Sequence, residues 1–482
     1  MLFALLLFVP AIFAASAADW RSRSIYQIMT DRFATTEESG GSCGDLDNYC
    51  GGTWKGIENK LSYIQEMGFT AIWISPINQN IDQSTFAGNG YHGYWPNNFD
   101  ALNSHFGSSD DLKSLVSEAH ARGMYVMLDV VVNHMAYPAD ENAVDYSQLQ
   151  PFNSVKYYHE YCPLTLYSTQ TQIEQCWLEG TIVSLADLRF EDTDVAGPLK
   201  QWAQNAISTY GFDGLRIDAA KHVSKEFLSS YRASVDVFTI GEVYSADIDY
   251  LASYQRYLDS NHDFATQQLV ILGAFAFSGA DMSAAMSKIS QIQAAFPDPS
   301  LMNTFSENHD MYRFASINSD VNANKNETFF SDGIPTIFYG QEQSFTGNNA
   351  PSNRQVLWTS GYSTSAPLYS FIATCNQLRN YLAYADSSHL TTDMKLLKAD
   401  KHDSAIQKKN LLLVLTNSGS TAASTTFSFE SEFSQGTTLV EVVACNEITV
   451  GYNGSVTVSM QNGLPRIFVN KSAIRGSGIC SN

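Results

Sequence analysis

The chain has 482 residues, a formal net charge of −21 and a pI near 4.7. This acidic excess argues against nucleic acid and anionic membranes as partners, because both bind through basic patches. The length is too great for one small core, so we expect a large domain with additions.

The first eighteen residues form an apolar run that ends in small residues. The run predicts a signal peptide over residues 1–18, cleaved near Ala17 or Ala18, and so a secreted, extracellular protein. It is short for a transmembrane helix, and no later stretch is long and apolar enough to be one. We therefore expect no membrane partner, and the polar C-terminus predicts no lipid anchor.

The next part of the chain alternates apolar, β-rich runs with helix-like stretches. The runs are SIYQI, TAIWIS, MYVMLDVVV, DGLRI, VFTIG, LMNTF and PTIFYG. Helix-like stretches lie between several of them, at residues 57–67, 109–122 and 199–210. The alternation predicts an α/β fold whose parallel strands close into a (β/α)8 TIM barrel.

Two segments depart from this alternation. Residues 134–188 are too long for an ordinary barrel connection, so we predict a small inserted domain between barrel segments 19–133 and 189–391. Beyond residue 391, strand-like runs alternate with Gly and Asn turns. They predict a C-terminal antiparallel β-sandwich over residues 392–482.

Three stretches place a carboxylate at or beyond the end of a predicted strand. GLRIDAAKHV contains Asp218, GEVY contains Glu242 and FSENHD ends in Asp310. Barrel strands deliver catalytic groups to one rim. A lone Asp there commonly caps a turn or helix, and three acids could form a buried ion-pair network. Their number, with Arg216 and His309 beside them, favours a catalytic site.

Together with DVVVNH, from Asp129 to His134, these stretches resemble the four signature regions of the α-amylase superfamily of glycoside hydrolases, in their usual order. WRSRSIYQIMTDRF, CGGTW, YHGYW and DGIPTIFYGQEQ are similar to secreted fungal-type α-amylases. The resemblance covers nearly the whole mature chain. It implies a retaining endo-hydrolase of α-1,4-glucosidic bonds in starch- or glycogen-type glucans.

Retention requires one carboxylate as nucleophile and another as acid and then base, about 5 Å apart. The resemblance implies that Asp218 is the nucleophile, that Glu242 is the acid/base and that Asp310 binds sugar hydroxyls. Glu242 must start protonated. We expect Arg216 to lower the pKa of Asp218 and keep it ionised.

The resemblance also implies a set of glucan-binding residues. Tyr94 would stack beneath the sugar ring, and His134 and His309 would donate hydrogen bonds to its hydroxyls. For Trp95 and Tyr167, burial in the core is an open alternative. The full set is His92, Tyr94, Trp95, His134, Tyr167, Arg216, Lys221, His222, His309 and Arg354.

A structural Ca²⁺ is the implied cofactor. Asn133, Glu174 and Asp187 would supply side-chain oxygens and His222 its backbone carbonyl, joining the barrel to the insertion. Calcium takes 6–8 hard oxygen ligands of this mixed kind. Without the resemblance, such scattered residues are as typical of solvated surface.

The seven cysteines fit a secreted protein. The resemblance implies disulfides between Cys43 and Cys50, Cys162 and Cys176, and Cys445 and Cys480. It leaves Cys375 as a buried free thiol. Three sequons could carry glycans; they begin at Asn326, Asn453 and Asn470.

The chain departs from the family pattern near the third acid. Met311 and Tyr312 follow Asp310, and residues 261–273 lack the usual Tyr and Pro. Ala350 replaces an Asp that commonly works with Arg354. We expect weaker donor-side binding, unless another acid has taken over.

The candidate for that acid is Asp332. Two other functions stay open: an α-glucanotransferase acting on maltooligosaccharides, and a non-catalytic glucan-binding protein. Binding relatives lose catalytic carboxylates, whereas this chain keeps all three. We expect a monomer.

Overall fold

The computed structural model describes residues 15–37, 40–277, 279–327 and 332–481, with Glu327 described in its backbone only. Most of the predicted signal peptide, residues 1–14, lies outside the described residues. The Ser16 side chain caps helix α1 (Ala17–Arg21), so the predicted cleavage positions fall in its first turn. Within the described ranges, no helix has the length and apolar character needed to cross a membrane.

The strands of the described chain are short. In chain order they are β1 (Ile25–Gln27), β2 (Ala71–Ile74), β3 (Asn78–Asn80), β4 (Pro96–Leu102), β5 (Tyr125–Val130), β6 (His134–Tyr137), β7 (Ser184–Asp187), β8 (Gly214–Ile217), β9 (Phe238–Gly241), β10 (Ser260–Asn261), β11 (Asn303–Thr304), β12 (Ile334–Phe338), β13 (Lys395–Ala399), β14 (Asp403–Lys408), β15 (Leu411–Thr416), β16 (Thr425–Glu430), β17 (Thr438–Glu441), β18 (Glu447–Thr449), β19 (Ser455–Met460) and β20 (Arg466–Asn470).

The helices connect these strands. After α1 they are α2 (Thr30–Phe33), α3 (Trp54–Asn59), α4 (Leu61–Glu66), α5 (Ser109–Ala121), α6 (Gln170–Gln175), α7 (Thr193–Tyr210), α8 (Lys225–Ser234), α9 (Ile248–Tyr254), α10 (Gly273–Phe275), α11 (Met282–Met286), α12 (Lys288–Ala295), α13 (Phe314–Ile317), α14 (Val321–Glu327), α15 (Pro367–Ala385) and α16 (Ser388–Thr391). A π-helix, Thr266–Leu272, occupies the divergent stretch after β10.

Eight parallel strands form the central sheet, in the order β10-β9-β8-β5-β2-β1-β12-β11. An isolated parallel bridge between His262 and Asn303 joins the two edges and nearly closes the sheet. The predicted TIM barrel is therefore confirmed. Strand β10 was not predicted, because its two residues are too few for a recognisable pattern.

The barrel strands are buried along their length, which explains their continuous apolar runs. Ile25, Trp73, Met127, Ile240 and Ile334 fill the barrel interior. Outside it, helices such as α5 turn one apolar face inward at helical spacing. This packing fixes the strand ends and so the loops that follow them.

The long connection after β5 contains an antiparallel pair, β6 with β7, and a disulfide between Cys162 and Cys176. It starts at His134 and returns to the barrel after Asp187, close to the predicted domain bounds. These bounds remain predictions. The disulfides Cys43–Cys50 and Cys445–Cys480 also form, and Cys375 is a buried free thiol.

The C-terminal region is an antiparallel six-stranded sheet, β13-β14-β15-β20-β17-β18, facing a β16-β19 pair. Leu412, Phe427, Val456 and Phe468 pack between the two sheets, as in a sandwich. The Asn326 sequon is a poor acceptor, because its buried amide donates to the carbonyls of Asn322 and Gly463.

Candidate active site

The three predicted acids meet at the C-terminal rim of the barrel. Asp218 directly follows β8, Glu242 directly follows β9, and Asp310 lies in the loop after β11. All three line one open cavity of about 350 Å³. The carboxyl ends of parallel barrel strands share one rim, so acids that follow separate strands can converge there.

Arg216 lies at the base of this cavity and holds the acids together. Its Nη1 is 2.8 Å from Oδ1 of Asp218 and 2.9 Å from Oδ1 of Asp129, and its Nη2 is 2.9 Å from Oε2 of Glu242. The guanidinium is fully buried. Because one planar group contacts both Asp218 and Glu242, the two carboxylates lie side by side.

The protonation of Asp218 differs from the expectation. Burial raises the pKa of Asp218 well above its ordinary value; Arg216 lowers it, but Glu242, Asp129 and Asp310 raise it again. The expected net lowering by Arg216 is therefore wrong, because burial and three neighbouring carboxylates outweigh one cation. With its pKa raised, Asp218 must lose a proton before it can act as a nucleophile.

Asp310 has the opposite electrostatic setting. Burial raises its pKa, but contacts with His309 and Arg354 outweigh burial and hold the pKa well below the ordinary range. Its Oδ2 lies 2.9 Å from Nε2 of His309 and its Oδ1 2.9 Å from Nη2 of Arg354. Because 47% of the side chain faces solvent, the raising effect of burial is weaker than that of these two contacts.

The residue after Asp218 has a strained backbone. Ala219 lies in the left-handed region with φ 47°, which an L-residue adopts at a cost of roughly 1–2 kcal/mol. In this conformation its N–H donates to Oε2 of Glu242 at 3.0 Å. The strain thus turns a backbone donor toward the second acid, as is common at functional sites.

Most predicted substrate residues line the cavity. Besides the three acids, these are His92, Tyr94, Trp95, His134, Lys221, His222, His309 and Arg354. Arg216 lies below them. Tyr167 is not among the lining residues, but it is 58% exposed, so burial in the core is the wrong alternative for it. Lys221 Nζ lies 4.9 Å from the centre of the Tyr167 ring.

The hydrogen bonds of the histidines limit what each can donate. His309 accepts a hydrogen bond from Gln27 at Nδ1 and therefore directs its Nε2–H at Asp310. His134 Nε2 donates to the backbone oxygen of Tyr94, so its expected donation to a sugar hydroxyl is not ready in this structure. Tyr94 itself stacks on His309 with ring planes 7° apart.

Several site residues were not predicted as such. Tyr244, Leu178 and Leu185 line the cavity, and the Tyr244 side chain is 55% exposed. The GEVY stretch contained Tyr244, so an aromatic residue two positions after Glu242 was a signal available in the sequence. Lys221 Nζ donates to the Tyr244 carbonyl, which ties this loop to the one after β8.

Beneath Arg216, a buried histidine was also missed. Arg216 Nε is 3.4 Å from Nε2 of His262, whose Nδ1 is 2.7 Å from Oδ1 of Asn303. Burial, and next Arg216, lower the pKa of His262 well below its ordinary value, so the ring is neutral and can accept from Arg216. His262 thus contacts the base of the site and closes the barrel with Asn303.

The residues predicted to hold calcium lie between the barrel and the insertion. Neither amide atom of the buried Asn133 makes a hydrogen bond of normal geometry in the described chain, and nor does Oδ1 of Asp187, although these two side chains are neighbours. Glu174 accepts a hydrogen bond from Gln170. His222 Nδ1 donates to the Ile173 carbonyl, next to Glu174. Buried oxygen atoms without donors are what a hard cation requires.

Across the described ranges, no group of three or more His, Cys, Asp or Glu side chains is arranged around a metal position. The predicted set contains only two carboxylates, with an amide and a backbone carbonyl as the other ligands. The donor chemistry and the unpaired buried atoms therefore fit calcium rather than a transition metal.

Comparison with known proteins identifies the family. The model described as the alpha amylase catalytic domain matches residues 27–407, and that of alpha-amylase domain C matches residues 390–482. The chain belongs to the α-amylase family. Alpha-amylase 1 of Schwanniomyces occidentalis is 41% identical over 97% of this chain and 93% of its own length.

Other α-amylases are equally similar. The enzyme of Saccharomycopsis fibuligera is 41% identical over 97% of this chain and 94% of its own length. The solved structure of an α-amylase from Malbranchea cinnamomea matches with a TM-score of 0.94 and 41% identity, covering 97% of this chain and all of that one.

The predicted weakening of donor-side binding concerns Ala350 and Arg354. Ala350 is exposed, and Arg354 is already bonded to Asp310, to Tyr91 Oη and to the His309 carbonyl. Asp332 does not replace the missing acid. It is buried against Lys408 of the C-terminal sheet, far from the cavity lining, so that expectation is wrong.

Proposed function

We propose that this chain is a secreted, monomeric α-amylase that hydrolyses α-1,4-glucosidic bonds within starch- or glycogen-type glucans with retention. The observation that carries the proposal is the contact of Arg216 with both Asp218 and Glu242 at the base of an open cavity. Two adjacent carboxylates at one barrel rim are the arrangement that retaining hydrolysis uses. The neutral glucan also suits an acidic protein.

The first step requires Asp218 to be ionised and Glu242 to be protonated. Ionised Asp218 attacks the anomeric carbon and forms a covalent glycosyl-enzyme. Arg216 holds Oδ1 of Asp218, which leaves Oδ2 for the attack. Glu242 gives its proton to the glycosidic oxygen, so the leaving chain departs as an alcohol. Glu242 is then ionised, and the sugar is bonded covalently to Asp218.

In the second step, Glu242 takes a proton from water and the resulting oxygen attacks the anomeric carbon. The bond to Asp218 breaks, and the two inversions restore the original configuration. The Ala219 N–H and Arg216 hold Oε2 of Glu242, which keeps the acid/base in place through both steps. Ionised Asp310 accepts hydrogen bonds from sugar hydroxyls as the ring distorts.

We also propose that Asn133, Glu174, Asp187 and the carbonyl of His222 hold a structural Ca²⁺. When bound, the ion supplies positive charge to buried oxygen atoms and joins the insertion to the barrel. The support is the pair of buried side chains with unpartnered oxygens, Asn133 and Asp187. Since His222 also lines the cavity, the metal site and the substrate cleft share one residue.

An α-glucanotransferase is the second candidate, and the exposed rings of Tyr244 and Tyr167 favour it. Both lie beside Lys221, next to the acid/base. Exposed aromatic faces can stack on an acceptor sugar, which then competes with water for the glycosyl-enzyme.

Incubation of the pure protein with maltoheptaose separates the candidates. We expect mainly shorter products that are released as α-anomers, visible by proton NMR in the first minutes. Products longer than seven glucose units would identify transfer, and β-anomers would contradict retention. An unchanged substrate would indicate a glucan-binding protein.

A further inference from the structure

A second, small cavity lies between the barrel and the C-terminal sheet, away from the active site. Its volume is about 60 Å³, and it shares no lining residue with the cleft. Leu378 and Leu382 of α15, Leu411 and Leu413 of β15, and Ile467 of β20 form its apolar wall. The volume accommodates roughly four water molecules, or one small organic ligand.

The opposite wall is cationic. Arg379 of α15 and Lys408 of β14 both line the cavity. Lys408 Nζ is paired with Oδ1 of Asp332 at 2.7 Å, and that carboxylate also accepts from Gln293 and the Met394 N–H. Asp332 is therefore committed to Lys408 and to neutral donors.

Arg379 has no carboxylate contact among the described residues. Its Nη2 donates to the carbonyls of Arg21, Arg23 and Gly333, and its Nε is buried without a hydrogen-bond partner. Burial lowers the pKa of Arg379 to about 10, and Asp332 offsets this only in part. Two cations thus share one buried carboxylate, and an unpaired buried charge is costly.

A third polar group also faces this space. His389 of α16 is only 5% exposed, lines the cavity and has no side-chain hydrogen bond within the described part of the chain. Burial, and next the charges of Lys408 and Arg379, lower the pKa of His389 to about 3, so the ring is neutral. Its N–H is therefore free to donate to a ligand.

We propose that this cavity binds a small monovalent carboxylate, of the size of acetate to butyrate. The carboxylate would accept hydrogen bonds from Arg379 Nε and the His389 ring, and it would supply the missing negative charge. The alkyl end would lie against the leucine wall, which favours an organic acid over chloride. The bound ligand would contact α15, α16 and the C-terminal sheet together.

The first test is thermal unfolding of the full chain in a carboxylate-free buffer. Sodium propionate is titrated from about 0.1 to 50 mM, a range set by the small affinity that five heavy atoms can supply. At propionate concentrations above the dissociation constant, we expect the melting temperature to rise by about 1 °C for each further tenfold increase in propionate. Propionamide, its neutral analogue, and sodium chloride at equal ionic strength serve as controls.

Two variants of equal size then test the charge. Cys375→Asp introduces a carboxylate at the cavity wall, and Cys375→Asn introduces a neutral amide. The Asp variant should melt higher than the Asn variant and should no longer respond to propionate. His389→Phe keeps the ring and removes the donor, so it should raise the propionate dissociation constant about tenfold, the value of one hydrogen bond.

Each result decides the proposal. An equal response to propionate and propionamide would show an apolar pocket with no anion preference, and an equal response to chloride would show a general salt effect. No response of the wild-type protein to any of the three would mean that the cavity holds water only. Each of these outcomes overturns the carboxylate assignment, even if a variant fails to fold.

Discussion

Nη2 of Arg216 lies 2.9 Å from Oε2 of Glu242, while Nη1 of the same side chain holds Asp218. One buried cation therefore orients both the proposed acid/base and the proposed nucleophile. A change in either carboxylate alters the charge balance around the buried Arg216.

We expect Asp218→Asn and Glu242→Gln each to abolish turnover of α-glucan, with kcat falling by more than about 10²–10⁴, the usual contribution of acid/base catalysis. Circular dichroism should show an intact fold, because both changes keep the side-chain size. Glu447→Gln, on the surface of the C-terminal sheet, is the matched control and should leave kcat unchanged. Residual activity within about tenfold of wild type would contradict the assigned roles.

The positions of these acids could be predicted because the signal is local. Asp218 and Glu242 each end a short apolar run, and such runs become β8 and β9. β10 gave no such signal. Its two residues are held by pairing with β9 and by the bridge from His262 to Asn303, which are 41 residues apart in the chain.

The protonation states of the site could not be predicted from a short stretch of sequence, for the same reason. The pKa of Asp218 depends on burial and on Glu242, Asp129 and Asp310, which reach it from other strand ends. A sequence motif shows that Arg216 is close to Asp218. It does not show the combined effect of burial and the three carboxylates on the pKa. The calcium residues likewise needed the resemblance, since Asn133 and Asp187 meet only in the fold.

Chelation of calcium should lower the melting temperature and then the activity. Removing the ion would leave the buried atoms of Asn133 and Asp187 uncompensated between barrel and insertion. The loss should grow as free calcium falls below its dissociation constant. Differential scanning calorimetry at increasing chelator concentrations measures this fall in melting temperature. An unchanged curve in excess chelator, with no metal by elemental analysis, would refute the site.

Tyr244→Ala should shift the products of maltoheptaose toward hydrolysis. The exposed ring lies beside the acid/base, where stacking on an acceptor sugar would favour transfer over attack by water. We expect the ratio of longer to shorter products to fall several-fold, with Tyr244→Phe close to wild type because it keeps the ring. Chromatography by chain length gives the ratio. Equal ratios in all three proteins would remove Tyr244 from acceptor binding.

His389 should make stability fall in acid. Its folded pKa is about 3, lowered first by burial, against about 6.5 in the unfolded chain. Between these values the unfolded chain binds one more proton at His389, so the free energy of unfolding decreases as pH falls. The contribution is up to about 1.4 kcal/mol per pH unit.

Urea unfolding at pH 4.5, 5.5 and 6.5, without carboxylate buffers, measures this contribution. His389→Phe keeps a ring at the same place but cannot titrate, so its stability should change less with pH than that of wild type. Lys408, Arg379 and Lys409, which lower the pKa, and Asp386, which raises it, remain in both proteins. Identical pH slopes would show that His389 does not stay neutral in the folded chain.

Ala350→Asp should strengthen binding of short maltooligosaccharides. Of the five donor hydrogens of Arg354, three already go to Asp310, Tyr91 and the His309 carbonyl. An Asp at position 350 could use the remaining two and would add an acceptor for donor-side hydroxyls. Charge-assisted bonds of about 1.5–3 kcal/mol correspond to roughly ten- to a hundredfold in binding.

The wild-type protein should accordingly turn over maltotetraose poorly relative to soluble starch, because long chains can occupy other subsites. Ala350→Asp should lower KM for maltotetraose more than KM for starch, and Ala350→Asn separates the charge from the added size. If KM for maltotetraose does not change, Ala350 does not face the donor side and the alignment around it is wrong. Asp332 cannot explain such a result, because it is buried against Lys408 at the C-terminal sheet.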